Sequence, residues 1–139
     1  MIPKFDGCTS VNDMTTPTET LLRTRGVNQF YGGSHILWDV DLDVRQGSIT
    51  CLMGRNGMGK TTLLKCVMGL LPVREGGIEF GGDDLLRRAA EQRAGLGIGY
   101  VPQGREIFPQ LTVEENLQLG VYVRPDRDRA ALEPIYETF

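Results

Sequence analysis

Alternating apolar and polar positions predict an antiparallel β region in the first part of the chain. Asp39–Val44 alternates strictly, which predicts a strand whose three aliphatic residues face a core. Leu21–Val27 is a second predicted strand, and regular structure is expected to begin there. Ile78–Phe80 lies between two Gly-Gly pairs, which is typical of a short strand between turns.

Two apolar runs without charged residues predict strands of another kind. These runs are Ile49–Met53 and Gly97–Val101. Because they have no polar face, we expect both to be buried on two sides within a parallel sheet. The sequence therefore predicts an α/β fold with a mainly parallel core sheet beside the antiparallel region.

Helical spacing follows the first of these runs. Apolar residues recur along Thr61–Leu71 at intervals of three and four, and Pro72 is expected to stop that helix. Asp84–Arg93 is predicted to be a surface helix with a basic face at Arg87 and Arg88.

A helical region is predicted to begin near Thr112. Thr112 and Glu115 match a capping box, in which Thr112 caps the helix and Glu115 reaches back to it. The helix should run to about Val121, and a final helix should begin near Ala130 after the charged loop Pro125–Arg129. This region reads as the start of a helical subdomain.

The predicted domain organisation has two parts. Residues 1–20 are rich in Thr, Ser, Asn, Asp and Pro without periodicity, which predicts a flexible N-terminal extension. Residues 21–139 then form a single α/β unit with the incomplete helical subdomain at its end.

Composition narrows the classes of function. The 139 residues are 40% hydrophobic and 24% charged, with a formal net charge of -3, so no basic surface points to nucleic acid. No apolar run is long enough to cross a bilayer, so a role at a membrane would require another chain. The three cysteines are odd in number and widely spaced, which favours a reducing compartment over a set of disulfides. Cys51 and Cys66 are expected to be core residues.

The most specific motif lies between the predicted strand and the predicted helix. Gly54-Arg-Asn-Gly-Met-Gly-Lys-Thr61 matches the phosphate-binding pattern G-x-x-x-x-G-K-[ST]. Its glycines permit the unusual φ values that bend successive backbone N–H groups towards phosphate oxygens. The following helix presents its positive end to the same phosphates. The motif therefore predicts ATP binding.

Individual roles follow from this chemistry. Lys60 is expected to bridge the β- and γ-phosphates, and the Thr61 hydroxyl to be a ligand of Mg²⁺. Thr62 should add a hydrogen bond to a phosphate nearer the ribose. The predicted phosphate-binding set is Gly54, Asn56, Gly57, Gly59, Lys60, Thr61 and Thr62.

From Tyr31 onward the chain resembles the ATP-binding subunit of ABC transporters, closest to the urea and branched-chain amino acid uptake type. The resemblance is carried by Tyr31–Trp38, Gly54–Leu64, Met68–Pro72, Tyr100–Pro109 and Leu111–Leu117. It implies a P-loop NTPase fold of the ABC type. It also implies membrane-spanning permease subunits and a second ATP-binding subunit as partners, at the inner face of the plasma membrane.

The resemblance implies two further site residues. Tyr31 matches the aromatic residue that stacks on adenine, and a ring suits that role because any purine face can stack on it. Gln103 matches the glutamine that touches Mg²⁺ and the attacking water, so Lys60 and Gln103 are the expected catalytic residues. At the end of a buried strand, Gln103 would lie where α/β sites are found.

The family's signature segment, its acidic strand and its switch histidine have no match in these 139 residues, which predicts a truncated, N-terminal portion. Three functions stay open. The first is the ATP-hydrolysing motor subunit of an importer for a small polar solute such as urea or branched-chain amino acids. The second is a nucleotide-binding fragment without ATPase activity. The third and weakest is another P-loop enzyme, such as a kinase or GTPase.

Overall fold

The computed structural model describes residues 19–104, 106–122 and 129–138. The predicted extension, residues 1–20, lies outside this part of the chain except for its last two residues. Arg105 and most of the predicted loop Pro125–Arg129 also lie outside the described residues.

One antiparallel sheet organises the first half of the described chain. Its strands are β1 (Thr20–Tyr31), β2 (Ser34–Arg45), β3 (Glu75–Phe80) and β4 (Asp83–Asp84), in the spatial order β2-β1-β3-β4. β1 and β2 form a hairpin in which Tyr31 pairs with Ser34. The predicted antiparallel β region is therefore confirmed, although both long strands extend beyond their predicted ends.

Helix α1 (Lys60–Met68) packs on this sheet and completes the core. Its apolar stripe follows the predicted spacing, but it ends earlier than the predicted Leu71. Gly69, with a φ of 76°, caps the helix three residues before Pro72, so the glycine and not the proline terminates it. The buried cluster joins strand and helix residues: Val27, Leu37, Leu63, Cys66, Val67, Ile78 and Leu85. The helix that carries the phosphate loop is thus fixed to the sheet along its length.

The remaining helices follow β4 in the chain. A 3₁₀ turn at Leu85–Arg87 precedes α2 (Ala90–Gly95), and α3 (Val113–Tyr122) follows. A second 3₁₀ turn, Arg129–Leu132, leads into α4 (Glu133–Thr138). No helix in the described residues is long and apolar enough to cross a membrane.

Two predicted parallel strands are not formed. Residues 49–53 and 97–101 have no strand partner in the described chain, and Ile49 and Val101 are almost wholly exposed. A strand buried on both faces requires neighbours that satisfy its backbone groups, and no described segment supplies them. For the same reason Cys51 is exposed and is not the predicted core residue, whereas Cys66 is fully buried.

The predicted surface helix over residues 84–93 was wrong in two respects. The segment divides into the 3₁₀ turn and α2, and Arg88 and Ala89 between them have extended backbone. Arg93 is buried, whereas Arg87 and Arg88 are exposed and pair with Asp84 and Asp83. Only the first part of the segment is therefore a basic surface.

The capping box at α3 is confirmed. The Thr112 amide donates to Glu115 Oε2 at 2.7 Å, the Thr112 hydroxyl donates to the same oxygen at 2.9 Å, and the Glu115 amide donates to that hydroxyl at 3.2 Å. The two bonds from Thr112, the backbone one first, hold the pKa of Glu115 below its ordinary value.

This capping box predicts a pH dependence at the start of α3. Because the pKa of Glu115 is lower in the folded state, its contribution is complete above the unfolded-state pKa and is lost as the pH falls through the folded-state pKa. We expect amide exchange at residues 113–116, after correction for intrinsic rates, to accelerate as the pH falls below about 5, near the ordinary pKa of a glutamate. Glu115→Gln, which cannot titrate, should lose that local pH dependence. An identical pH profile in the two proteins, measured by NMR, would refute the assignment.

Candidate nucleotide-binding site

The phosphate loop runs from Gly54 to Gly59 and leads directly into α1. Gly57 and Gly59 have φ values of 82° and 85°, in the left-handed region that favours glycine. Residues 54–58 are exposed, so the loop backbone is open to solvent. The glycines at these two positions therefore serve the bend that the motif predicted.

The start of α1 leaves several backbone donors without helical acceptors. The first i→i−4 bond recorded at this end joins Leu63 N to Gly59 O at 2.9 Å. The amides of Lys60, Thr61 and Thr62 precede it, and no side chain caps this end of the helix. Unpaired N–H groups and the positive end of the helix dipole together favour an anion.

Lys60 folds back over the loop that precedes it. Its Nζ donates to the carbonyl oxygens of Gly54 at 2.7 Å and Arg55 at 2.8 Å. These bonds hold the ammonium group against the first two residues of the loop. Gly54 and Lys60, which the sequence placed in one site, are therefore in direct contact.

The other predicted loop residues differ in exposure. Asn56 and Thr61 are exposed, so the Thr61 hydroxyl is accessible from solvent. Thr62 is buried beside the core, at the first turn of α1. Among the described residues no group of three His, Cys, Asp or Glu side chains could hold a metal by itself. Mg²⁺ fits here only in the form it usually takes with nucleotides, held by few protein ligands plus phosphates and water.

Strand β2 lies directly against the loop. A Cβ built on Gly59 would lie 2.7 Å from Leu37 Cδ2 and 3.5 Å from the carbonyl oxygen of Ile36. Glycine at this position therefore permits the close approach of the strand as well as the positive φ. Tyr31 pairs with Ser34, two residues from Ile36, so the hairpin end lies only about 7 Å further along the strand.

Tyr31 and Gln103 are not joined to the loop by any hydrogen bond in the described chain. Tyr31 closes β1 with 47% of its surface exposed, which leaves its ring available. Gln103 is exposed in a bend, followed by Gly104 with a φ of 102°. It does not follow a buried strand, because residues 97–101 are not part of a sheet. The structure therefore brings β2 and Lys60 to the loop and shows no hydrogen bond from Tyr31 or Gln103 to it.

His35, the only histidine in the chain, is a residue of β2. Its ring stacks between Phe30, with centroids 4.0 Å apart, and Trp38, with centroids 3.6 Å apart. Its Nε2 lies 2.8 Å from Asn28 Oδ1. These contacts stiffen the hairpin that carries Tyr31.

Arg93 is a buried residue outside the phosphate loop whose role the sequence did not indicate. Its Nη1 donates to the carbonyls of Cys66 and Val67, both at 2.8 Å, at the opposite end of α1 from the loop. These partners lie 27 and 26 positions away in the chain, and no local pattern distinguishes Arg93 from Arg87 or Arg88. Burial lowers the pKa of this guanidinium from its ordinary value.

Comparison with known proteins identifies the family. The sequence profile described as ABC transporter matches residues 37–139. This chain belongs to the ABC transporter family. The predicted family and its P-loop fold are thereby confirmed, while the parallel part of the core sheet is not formed in the described residues.

Individual relatives agree. The probable branched-chain amino acid transport ATP-binding protein LivF of Archaeoglobus fulgidus is 42% identical over 84% of this chain and 52% of its own length. The high-affinity branched-chain amino acid transport ATP-binding protein BraG of Pseudomonas aeruginosa is 35% identical over 81% of this chain and 49% of its own. A solved ATP-binding subunit of an ABC transporter superposes with a TM-score of 0.67 at 32% identity, covering 75% of this chain and 42% of that one. The chain thus spans about half the length of these relatives.

Proposed function

We propose that this chain is part of the ATP-binding subunit of an ABC importer and that its phosphate loop binds the triphosphate of ATP. One observation carries the proposal: the Lys60 ammonium group is hydrogen-bonded to the glycine loop, and this loop leads directly to the unpaired backbone amides at the start of α1. This arrangement offers a point cation, bent backbone and a helix terminus to the same anion. Because the chain belongs to the ABC transporter family, we infer that this anion is the triphosphate of ATP.

Each loop residue has a proposed role. Gly54, Asn56, Gly57 and Gly59 let the backbone surround the phosphates, and Lys60 exchanges its two carbonyl contacts for β- and γ-phosphate oxygens. Thr61 offers its exposed hydroxyl to Mg²⁺, and Thr62 donates to a phosphate nearer the ribose. When bound, Mg²⁺ neutralises charge on the β- and γ-phosphates.

Gln103 and Lys60 are proposed as the catalytic residues of the complete subunit. Gln103 can bind Mg²⁺ through its amide oxygen and donate an N–H hydrogen bond to the attacking water, because its amide carries both an acceptor and a donor. In the described structure Gln103 is exposed and has no hydrogen bond to the loop. Catalysis therefore requires that the segment around Gln103 move towards the nucleotide or be placed there by further parts of the protein.

The partners and location follow from the same proposal. A second ATP-binding subunit and membrane-spanning permease subunits would receive the motion that ATP drives, at the cytoplasmic face of the plasma membrane. Branched-chain amino acids are the favoured solutes, since the two relatives described above carry that name. The urea-type resemblance stays a prediction, because neither of these relatives is named for urea.

Binding of ATP with Mg²⁺ by the full-length protein tests the nucleotide assignment, with Tyr31 as the probe. Tyr31→Ala should weaken ATP affinity about tenfold, because base–aromatic stacking contributes about 1–3 kcal/mol. Tyr31→Phe, which keeps the ring, should stay within about twofold. Isothermal titration calorimetry of the three proteins decides the point, and equal affinities in all three would remove Tyr31 from the site.

Competition by GTP separates this proposal from a P-loop GTPase. A GTPase should bind GTP in strong preference to ATP, whereas stacking on Tyr31 alone tolerates either purine. Displacement of ATP by GTP at far lower concentrations would overturn the importer assignment.

The second candidate function is nucleotide binding without turnover by residues 1–139 alone. It is favoured because no hydrophobic run ending in Asp-Glu follows Gln103 in this sequence, so no acidic residue is evident to help hold Mg²⁺. Phosphate release by the isolated 139-residue chain that disappears in Lys60→Ala would contradict this candidate.

A further inference from the structure

The buried Arg93 lies at the junction of two segments that the proposed function needs together. Helix α1 begins at the phosphate loop and ends at Gly69, and α2 leads into the segment that carries Gln103. Only 5% of Arg93 is exposed, and no carboxylate pairs with it in the described chain. Its guanidinium is used instead on backbone carbonyls.

These carbonyls belong to the end of α1. Arg93 Nη1 bonds to Cys66 O and Val67 O, two of the last carbonyl groups of the helix. A cation at this end also complements the negative pole of the helix dipole. The fit is close, since a Cβ on Gly69 would lie 2.8 Å from the guanidinium carbon of Arg93.

The main chain of Arg93 secures the other segment. Its carbonyl oxygen accepts from the amides of Leu96 at 3.1 Å and Ile98 at 3.4 Å. Leu96 and Ile98 pack against the core cluster that contains Leu63, Cys66 and Val67 of α1. Five residues after Ile98 the chain reaches Gln103. One residue thus holds the end of the phosphate-loop helix and the start of the glutamine segment.

We propose that Arg93 is a positioning residue that couples nucleotide binding at the phosphate loop to the segment 97–104. Helix α1 is only nine residues, about 13 Å, so a restraint imposed on its first turn reaches Cys66 and Val67 without an intervening bend. Arg93 passes that restraint to the main chain that leads to Gln103. The inference rests on the proposed ATP binding and adds a route by which the two halves of the site communicate.

Hydrogen exchange of the full-length protein with and without a non-hydrolysable ATP analogue and Mg²⁺ tests the coupling. In the native protein the analogue should slow exchange at residues 97–104. In Arg93→Met, which keeps much of the apolar stem, we expect analogue affinity within about threefold of native and loss of most of that slowing. Arg87→Met, at an exposed arginine paired with Asp84, should behave as the native protein does.

A purely structural role predicts another outcome. If Arg93 were only structural, Arg93→Met would raise exchange throughout α1 and α2 by the same amount with and without nucleotide. The nucleotide-dependent slowing at residues 97–104 would then remain as in the native protein, and that result overturns the inference. If Arg93→Met does not fold, Arg93→Lys decides, because one ammonium group cannot reproduce the planar fork and should reduce the difference. A native protein that binds the analogue without slowing at 97–104 overturns the coupling alone. A native protein that does not bind it overturns the proposed function.

Discussion

Replacing Lys60 with alanine is expected to reduce ATP hydrolysis by the full-length protein at least 100-fold. The reason is electrostatic: the ammonium group is the only proposed side-chain cation at the β- and γ-phosphates, and one such donor in a preorganised site contributes about 3–4 kcal/mol. ATP affinity should fall as well, because part of the contact exists before the transition state. Phosphate release at saturating ATP and equilibrium binding measure the two effects separately.

The matched control is Lys65→Ala on the same helix. Lys65 lies in the last turn of α1, away from the loop, so its removal changes the charge of the helix by the same amount. We expect that variant to retain hydrolysis within about twofold, since Lys65 is half-buried at the far end of the helix and has no proposed contact with ATP. Hydrolysis by Lys60→Ala within threefold of native would exclude the phosphate role.

The two carbonyl bonds of Lys60 make a further distinction possible. They are exposed hydrogen bonds within one loop, so their loss should change the free energy of unfolding by no more than about 1 kcal/mol. A large stability loss in Lys60→Ala would mean that inactivity reflects unfolding. The expected result is an inactive protein with nearly native stability.

Features set by residues close in sequence could be predicted. The capping box joins Thr112 to Glu115 across three positions, and it forms as predicted. The phosphate loop and α1 also follow local rules, because glycine φ preferences and helical spacing act within one or two turns. Most of the candidate phosphate site could therefore be predicted from the sequence of Gly54–Thr62 alone.

The extent of β1 could not be read from the same rules. The predicted strand ended at Val27, whereas β1 continues to Tyr31 through the polar pair Asn28 and Gln29, both buried. Asn28 is accommodated because its side chain bonds to Gly26 O at 3.0 Å and to Asp39 Oδ1 at 2.8 Å on β2. A buried amide that finds a partner 11 positions away leaves no local signal.

The parallel strands show the opposite limitation. The apolar runs 49–53 and 97–101 indicate burial, but a pattern of hydrophobicity does not specify which segment covers it. Strand formation there depends on distant pairing, and in the described chain the nearest regular element after residue 53 is α1. Gln103 was placed at the end of a strand by the same reasoning, and that strand is not formed in the described chain, so its role at the site stays a prediction.

Replacing Gly76 with alanine is expected to cost about 3 kcal/mol or more in the free energy of unfolding. Gly76 has a φ of 95°, and a Cβ there would lie 2.3 Å from Gly26 O and 2.5 Å from Arg25 O. These obstructing atoms are backbone, so no side-chain rotation relieves the clash, and β1 and β3 must separate. Denaturant unfolding of the full-length protein measures the loss.

Gly77 provides the matched control, one position along β3. A Cβ at Gly77 meets no atom within 4 Å, and its φ is not positive. We therefore expect Gly77→Ala to change the free energy of unfolding by less than about 1 kcal/mol. The alanine also lowers the conformational entropy of the unfolded chain, which favours the folded state. Equal losses in the two variants would indicate that glycine flexibility, and not the clash with β1, determines the effect.

The Gly76 and Lys60 variants should fail in opposite ways. Val27 of β1 and Ile78 of β3 are both fully buried in the core against which α1 packs. Gly76→Ala should therefore weaken the packing that supports the phosphate loop. Molecules of Gly76→Ala that remain folded keep every proposed ATP contact and should hydrolyse ATP at a near-native rate per folded molecule. Lys60→Ala should stay folded and lose turnover. If both variants lost stability and turnover together, the loop and the sheet would form one cooperative unit. The proposal that Lys60 acts on ATP while Gly76 acts only on the stability of the sheet would then be wrong.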